Sequence, residues 1–282
     1  MLHQQTTLNC KGRLLDISQP IIMGILNTTP DSFYDGGQYA DITPALQQAE
    51  RMLKEGATII DIGGMSSRPG AQIISEEEEL KRVIPVIAAI YKAFPEAIIS
   101  IDTVRSQVAK AAVEQGASII NDISAGRIDP ELYKTVAQLG VPYILMHMQG
   151  KPGTMQDKPD YDNVVQEVLD FLIQEVDKLR LLGVNDIMID PGFGFGKTVA
   201  HNYQLLKHFH LFKVIGVPIL AGLSRKSMIC KVLKVNPPKA LNGTTALHMV
   251  ALQEGAKILR VHDVKEANEV IRLWQELENA DI

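Results

Sequence analysis

The sequence predicts an α/β barrel, and three observations carry that prediction. Eight short aliphatic runs, each ending on polar residues, recur at 21–27, 58–61, 97–102, 118–122, 142–147, 186–190, 217–222 and 257–262. The segments between them have the periodicity of amphipathic helices. Three helix-to-strand junctions also repeat one design: Glu55-Gly-Ala-Thr-Ile-Ile-Asp61, Gln115-Gly-Ala-Ser-Ile-Ile-Asn121 and Glu254-Gly-Ala-Lys-Ile-Leu-Arg260. In each, a glycine that can take φ > 0 stops a helix, and a buried strand follows and ends on a polar side chain. Eight such units with right-handed crossovers close most naturally into a (β/α)8 barrel; an eight-stranded doubly wound sheet is the alternative.

In chain order, residues 5–18 alternate loosely around Lys11-Gly12-Arg13, which predicts a short β-hairpin before the barrel. Ser75 and Glu78 have capping-box spacing ahead of a stripe of Leu80, Val83, Ile84 and Ile87. Val165, Val168, Leu169, Leu172 and Val176 form the stripe of the fifth helix, and Val264, Ala267, Ile271 and Trp274 that of the eighth. Long connections at 28–41, 63–74 and 148–160 follow the first, second and fifth strands, at the end where barrel enzymes keep their chemistry. No composition shift marks a second domain, so residues 1–282 read as one barrel domain.

Composition narrows the function. Hydrophobic residues make up 46% of the 282 and aromatics only 5%, which suits an aliphatic core of packed parallel strands. The net charge of −5, with no basic stripe, argues against nucleic acid as a partner. Two cysteines give neither a disulfide framework nor metal-ligand spacing. No stretch has the length of a membrane span or the apolar core of a signal peptide. The expectation is a cytoplasmic protein with no membrane partner.

Residues 186–197, DIMIDPGFGFGK, imitate a phosphate loop without being one. The glycine a P-loop needs five positions before Gly196 is Pro191, and the third glycine of a dinucleotide fingerprint falls on Lys197. What remains is an acid, Asp190, at a strand end, walled by Phe193 and Phe195. The other strand ends supply Asn27, Asp61, Asp102, Asn121-Asp122, His147, Ser224-Arg225-Lys226 and Arg260-Val261-His262. Each has a plain structural reading: Asp102 as a helix cap, His147 as a satisfied core histidine, Arg225-Lys226 as solvated charge. Arg260 is costly at a strand end unless an anion pairs with it. Together they predict a mouth divided in two. Acids and an amide suit a flat heterocycle rich in N–H donors, and neighbouring cations suit phosphate.

Six motifs stand in order: Met23-Gly-Ile-Leu-Asn-Thr-Thr-Pro-Asp-Ser-Phe33, Asp61-Ile-Gly-Gly-Met-Ser-Ser-Arg-Pro-Gly70, Met146-His-Met-Gln-Gly150, Asp190-Pro-Gly-Phe-Gly-Phe-Gly-Lys197, Ser224-Arg-Lys-Ser-Met228 and Arg260-Val-His-Asp263. Together they resemble the dihydropteroate synthase family. The resemblance implies a TIM barrel, a homodimer, and condensation of 6-hydroxymethyl-7,8-dihydropterin diphosphate with p-aminobenzoate in folate synthesis. It implies a pterin site of Asp102, Asn121, Asp190, Lys226, Met146 and Phe195. Asn27, Arg68, Arg260 and His262 would hold the diphosphate, with Asn27 also at a Mg²⁺ ion. Phe33, Ser67, Pro69, Phe195 and Ser227 would surround p-aminobenzoate. Arg260, His262, Lys226 and Arg68 would carry the catalysis. Met65 stands where the family usually has an acid, Ser67 where it has threonine, and Thr28 where valine is common. The rival readings are a methyltransferase that moves a methyl group from a folate to a corrinoid protein, a non-catalytic pterin-binding homologue, and a Schiff-base aldolase using Lys226.

Overall fold

The computed structural model describes residues 5–28, 42–65, 74–150, 155 and 159–280. Two short strands, β1 (Thr7–Cys10) and β2 (Arg13–Asp16), form the expected antiparallel hairpin. Eight parallel strands follow: β3 (Ile21–Asn27), β4 (Ile59–Gly63), β5 (Ile98–Asp102), β6 (Ile119–Asp122), β7 (Tyr143–Met146), β8 (Ile187–Asp190), β9 (Leu220–Ala221) and β10 (Ile258–Val261). They lie in the order β8-β7-β6-β5-β4-β3-β10-β9, and a parallel bridge between Ile189 and Ile219 joins the two ends. The sheet is therefore a barrel, and the doubly wound alternative is excluded.

Around it run α1 (Thr43–Glu55), α2 (Glu76–Ala93), α3 (Ser106–Glu114), α4 (Leu132–Leu139), α5 (Val164–Leu181), α6 (Val199–Lys207), α7 (Ser227–Leu233), α8 (Leu241–Gln253) and α9 (Val264–Glu278). The repeated glycines do what the sequence assigns them: Gly56, Gly116 and Gly255 take φ of +106°, +117° and +105°. One expected detail differs. Ser75 caps α2 by accepting from the Glu78 N–H at 3.2 Å, but the Glu78 carboxylate pairs with Arg82 one turn on, at 2.7 Å, so the reciprocal half of the box is replaced by an i,i+4 ion pair. The seventh strand is also shorter than its aliphatic run, two residues rather than six, because Pro218 has no N–H to give a ladder.

Strand alternation sorts the side chains. Outward residues such as Ile60, Ile99, Ile120, Leu145, Ile189 and Leu259 pack against the helices. Inward, each strand gives one apolar side chain to a basal layer: Met23, Ile59, Ile98, Ile119, Ile144, Met188, Leu220 and Ile258. Leu8, Cys10, Leu15 and Ile17 of the hairpin close that layer from below. The floor of the barrel is thus sealed and dry, and the next inward positions toward the strand C-termini form the site. Among the described residues no helix is long and apolar enough to cross a membrane.

Candidate active site at the C-terminal mouth of the barrel

Two residues above the basal layer, the same alternation turns Asp61, Asn121, Asp190 and Arg260 inward, with Asn27, Asp102 and Met146 beside them. Asp61, Asn121 and Arg260 are the last residues of the three repeats, and they meet. One Asp61 carboxylate oxygen accepts from Arg260 Nε at 2.7 Å and from Asn121 Nδ2 at 3.1 Å. Arg260 Nη2 also donates to Asp102 at 2.6 Å. Arg260 does not stand apart in a cationic sector, as the sequence suggests. It reaches across to the acids because a guanidinium and two carboxylates, all largely buried, stabilise one another only when paired. Burial pushes the Asp102 carboxyl up to about 7, with Arg260 pulling it back. Asp102 does not cap a helix; the residue before α3 is Arg105.

Parity also disposes of Asp122. Next to an inward residue, it faces outward and is spent on Tyr143 Oη (2.6 Å) and the N–H groups of Ser124 and Gly126 (both 2.7 Å).

After β8 the chain makes the glycine-aromatic loop. Asp190 accepts from the Gly192 N–H at 2.7 Å, and burial raises its carboxyl above the usual range while that bond and Lys226 hold it down. Gly192 has φ +74°, and a Cβ there would lie 1.9 Å from the His147 carbonyl oxygen, so only glycine fits. Phe195 is buried with Val104, Ile123, Met146, Met148 and Met155 in an apolar cluster at the mouth. Phe193 is not a wall of the site. It points out of the barrel and stacks on Phe209 at 5.9 Å.

Lys197, the residue that makes the loop look like a phosphate cradle, is turned inward and buried. Its ammonium donates to the carbonyls of Gly192 (2.9 Å) and Phe195 (3.1 Å) and contacts His147 Nδ1 at 2.9 Å. It ties the loop to itself and to the end of β7. Burial brings Lys197 down to about 7 and His147 to about 2, so His147 is neutral. It is the satisfied core histidine of the plain reading, edge-on to Phe171 at 4.9 Å.

The cationic side is built by the turn before α7. Arg225 adopts φ +55° and pairs through Nε with Asp263 at 2.9 Å, so it is a structural clamp rather than a ligand cation. The turn thereby delivers Lys226 over the Phe195 ring, 4.3 Å from its centroid. Burial lowers Lys226 to about 8, against the pull of Asp190. His262 lies beside Ser224, Nδ1 to Oγ 3.0 Å, and burial together with Arg260 and Arg225 brings its imidazole to about 4.

These groups border a cavity of about 690 Å³ whose lining includes Asn27, Phe195, Lys226, Ser227, Arg260 and His262. That volume suits a ligand of drug-like size. Phe33, Ser67, Arg68 and Pro69 lie outside the described residues. Asp61, Ser224 and Lys197 are site-building residues to which the sequence gave no binding role, although Asp61 and Ser224 stand among its polar strand ends. For Asp61 the signal was present, since it occupies the same repeat position as Asn121 and Arg260.

The profile of the pterin binding enzyme family matches residues 23–262. A dihydropteroate synthase of Haemophilus influenzae is 48% identical over 275 residues, 97% of this chain and 99% of its own. The chain belongs to the dihydropteroate synthase family. Among solved structures of the family, the Xanthomonas albilineans enzyme with 4-aminobenzoic acid has a TM-score of 0.91 at 43% identity, covering 98% of this chain and 99% of its own. The Yersinia pestis enzyme in complex with a sulfonamide drug has a TM-score of 0.91 at 44% identity, covering 97% and 100%.

Proposed function

We propose that this chain joins p-aminobenzoate to 6-hydroxymethyl-7,8-dihydropterin diphosphate, giving 7,8-dihydropteroate and pyrophosphate. The observation that carries this reading is that the cavity lined by Lys226, Arg260 and His262 lies against the strand ends that hold Asp102, Asn121 and Asp190, with Arg260 bonded directly to Asp102. Carboxylates and an amide oxygen accept from the amino and N–H edge of a pterin, and Lys226 donates to its carbonyl side. Met146 and Phe195 offer apolar faces to the ring. Asn27, Arg68, Arg260 and His262 would receive the diphosphate; the bonds to Asp61 and Asp102 use two of the five N–H donors of Arg260. Phe33, Ser67, Pro69, Phe195 and Ser227 would enclose p-aminobenzoate.

The proposed reaction is dissociative. The bond between the pterin methylene and the diphosphate oxygen breaks first, and the electron-rich ring holds the resulting cation. The amine nitrogen of p-aminobenzoate then bonds to that carbon and loses a proton. Arg260 and His262 stabilise charge growing on the leaving oxygen, while Asp102 and Asp190 stabilise the cationic pterin. The apolar cluster around Phe195 keeps water from the cation. No protein nucleophile is needed.

Magnesium fits this donor set. Among the described residues no group of three His, Cys, Asp or Glu side chains could cage a metal, whereas Asn27 ends β3 at the mouth with an amide oxygen. Mg²⁺ takes one or two protein oxygens and completes its shell with water and phosphate. Bound there, it would supply positive charge to the diphosphate.

A homodimer also belongs to this reading. On this side of the barrel α8 exposes Ala246, and α9 beside it exposes Leu273 and Leu277. Cys10 and Cys230 are both free, which suits the reducing cytoplasm.

Purified protein mixed with the pterin diphosphate, p-aminobenzoate and Mg²⁺ should release pyrophosphate and form dihydropteroate in equal amounts. Absence of both products overturns the assignment. Light scattering should report twice the chain mass; a monomer at assay concentration overturns the dimer.

A further inference from the structure

The Ser224 hydroxyl sits against His262 twice. Its oxygen accepts from the His262 backbone N–H at 3.2 Å and lies 3.0 Å from the ring Nδ1. Ser224 is buried, and a buried hydroxyl proton must find an acceptor. With the oxygen already accepting from the backbone, the acceptor in reach of that proton among the described residues is Nδ1. A neutral imidazole that accepts at Nδ1 carries its proton on Nε2. Rotating the ring by a half-turn would instead set a C–H against the hydroxyl.

We propose that Ser224 is a positioning residue that locks His262 in the Nε2–H tautomer, so that the histidine offers the cavity a neutral hydrogen-bond donor aimed at the leaving diphosphate. The aim at diphosphate rests on the function proposed above; the tautomer itself does not. A neutral donor suits this place. His262 is held beside Arg260 and Arg225, and a further full charge in that buried sector is opposed by both cations. An N–H donor stabilises charge growing on the leaving oxygen without first having to capture a proton. The other tautomer would present a lone pair to the phosphate oxygens and repel them.

Long-range proton–nitrogen NMR on ¹⁵N-histidine-labelled, full-length protein reads the tautomer directly, with His262→Asn assigning the signal among the seven histidines. Near neutral pH, His262 should show Nε2 in the protonated range and Nδ1 in the unprotonated range. Ser224→Ala should convert this to averaged values for both nitrogens. Turnover should fall roughly 10- to 100-fold, the usual cost of losing an orienting partner, while affinity for 6-hydroxymethylpterin changes less than about twofold. Ser224→Thr, which keeps the hydroxyl, should restore the single tautomer and most of the turnover. A proton on Nδ1 in the unsubstituted protein, or a tautomer unmoved by Ser224→Ala, overturns the lock. A tautomer that moves with no loss of turnover overturns its part in the reaction. The assigned tautomer in a protein that forms no dihydropteroate upholds the lock and overturns the synthase reading instead.

Discussion

Replacing Arg260 by methionine removes the one cation that, among the described residues, bonds both Asp61 and Asp102. Methionine keeps most of the volume, so the change is electrostatic rather than a cavity. Asp61 is fully buried and Asp102 nearly so, and an acid that loses its cationic partner in such a place cannot recover hydration; Asp61 keeps the neutral Asn121 amide. Breaking a buried pair from one side costs about 3–5 kcal/mol. At roughly 2–4 °C per kcal/mol for a chain of this size, the melting temperature should fall by about 10 °C. The pH dependence has a definite sign. Burial already pushes Asp102 up to about 7, and losing Arg260 raises it further. An acid whose folded pKa lies above its unfolded value binds more protons folded than unfolded, so stability falls as pH rises through that window. The variant's deficit should therefore be largest above pH 7 and shrink toward pH 4. Adding Asp61→Asn removes one stranded charge and should recover part of the loss. Urea denaturation from pH 4 to pH 8 on the two variants is the assay. A deficit independent of pH, together with a double variant no more stable than the single one, refutes the paired-charge account.

Three further outcomes follow from the geometry. Lys226 is protonated below about 8 and neutral above it, so kcat/KM should fall as pH rises through that value; a Lys226→Arg profile that keeps the same basic limb assigns the titration elsewhere. Lys197→Met strands the Phe195 carbonyl, costing about 1–3 kcal/mol, and leaves the Gly192 carbonyl with the Phe195 N–H alone, so hydrogen exchange across residues 192–197 should quicken; unchanged protection removes Lys197 as the loop tie. Leu8→Ala opens a cavity under the barrel floor and should cost about 2–5 kcal/mol with turnover intact below the melting transition; loss of turnover in the folded variant would show that the hairpin does more than seal the floor.

The barrel was legible because parallel strands buried on both faces read as unbroken aliphatic runs, and because the repeat marks three helix stops by their glycines. What the runs do not display is parity. Asp61 and Asp122 both end aliphatic runs, yet one faces the axis and the other the helices, and only the strand register separates them. Phe193 and Phe195 differ in the same way across a turn. Lys197 sits in a pattern that invites a phosphate, but its partners are carbonyls brought together by the loop's own folding. Arg260 was recognisable as a cation needing an anion; that resident acids supply part of that need depends on contacts across the barrel from β10 to β4 and β5.

The central claim is that one mouth holds two separable sectors, acids and an amide for the pterin and His262 for the diphosphate. Calorimetric titration of 6-hydroxymethylpterin, and of pyrophosphate with Mg²⁺, into His262→Ala and Asp190→Asn tests it most directly. His262→Ala should weaken pyrophosphate binding by about tenfold or more, the 1.4 kcal/mol scale of one charge-assisted hydrogen bond, and leave pterin affinity within about twofold. Asp190→Asn should do the reverse. Equal losses of both ligands in both variants would contradict the divided site.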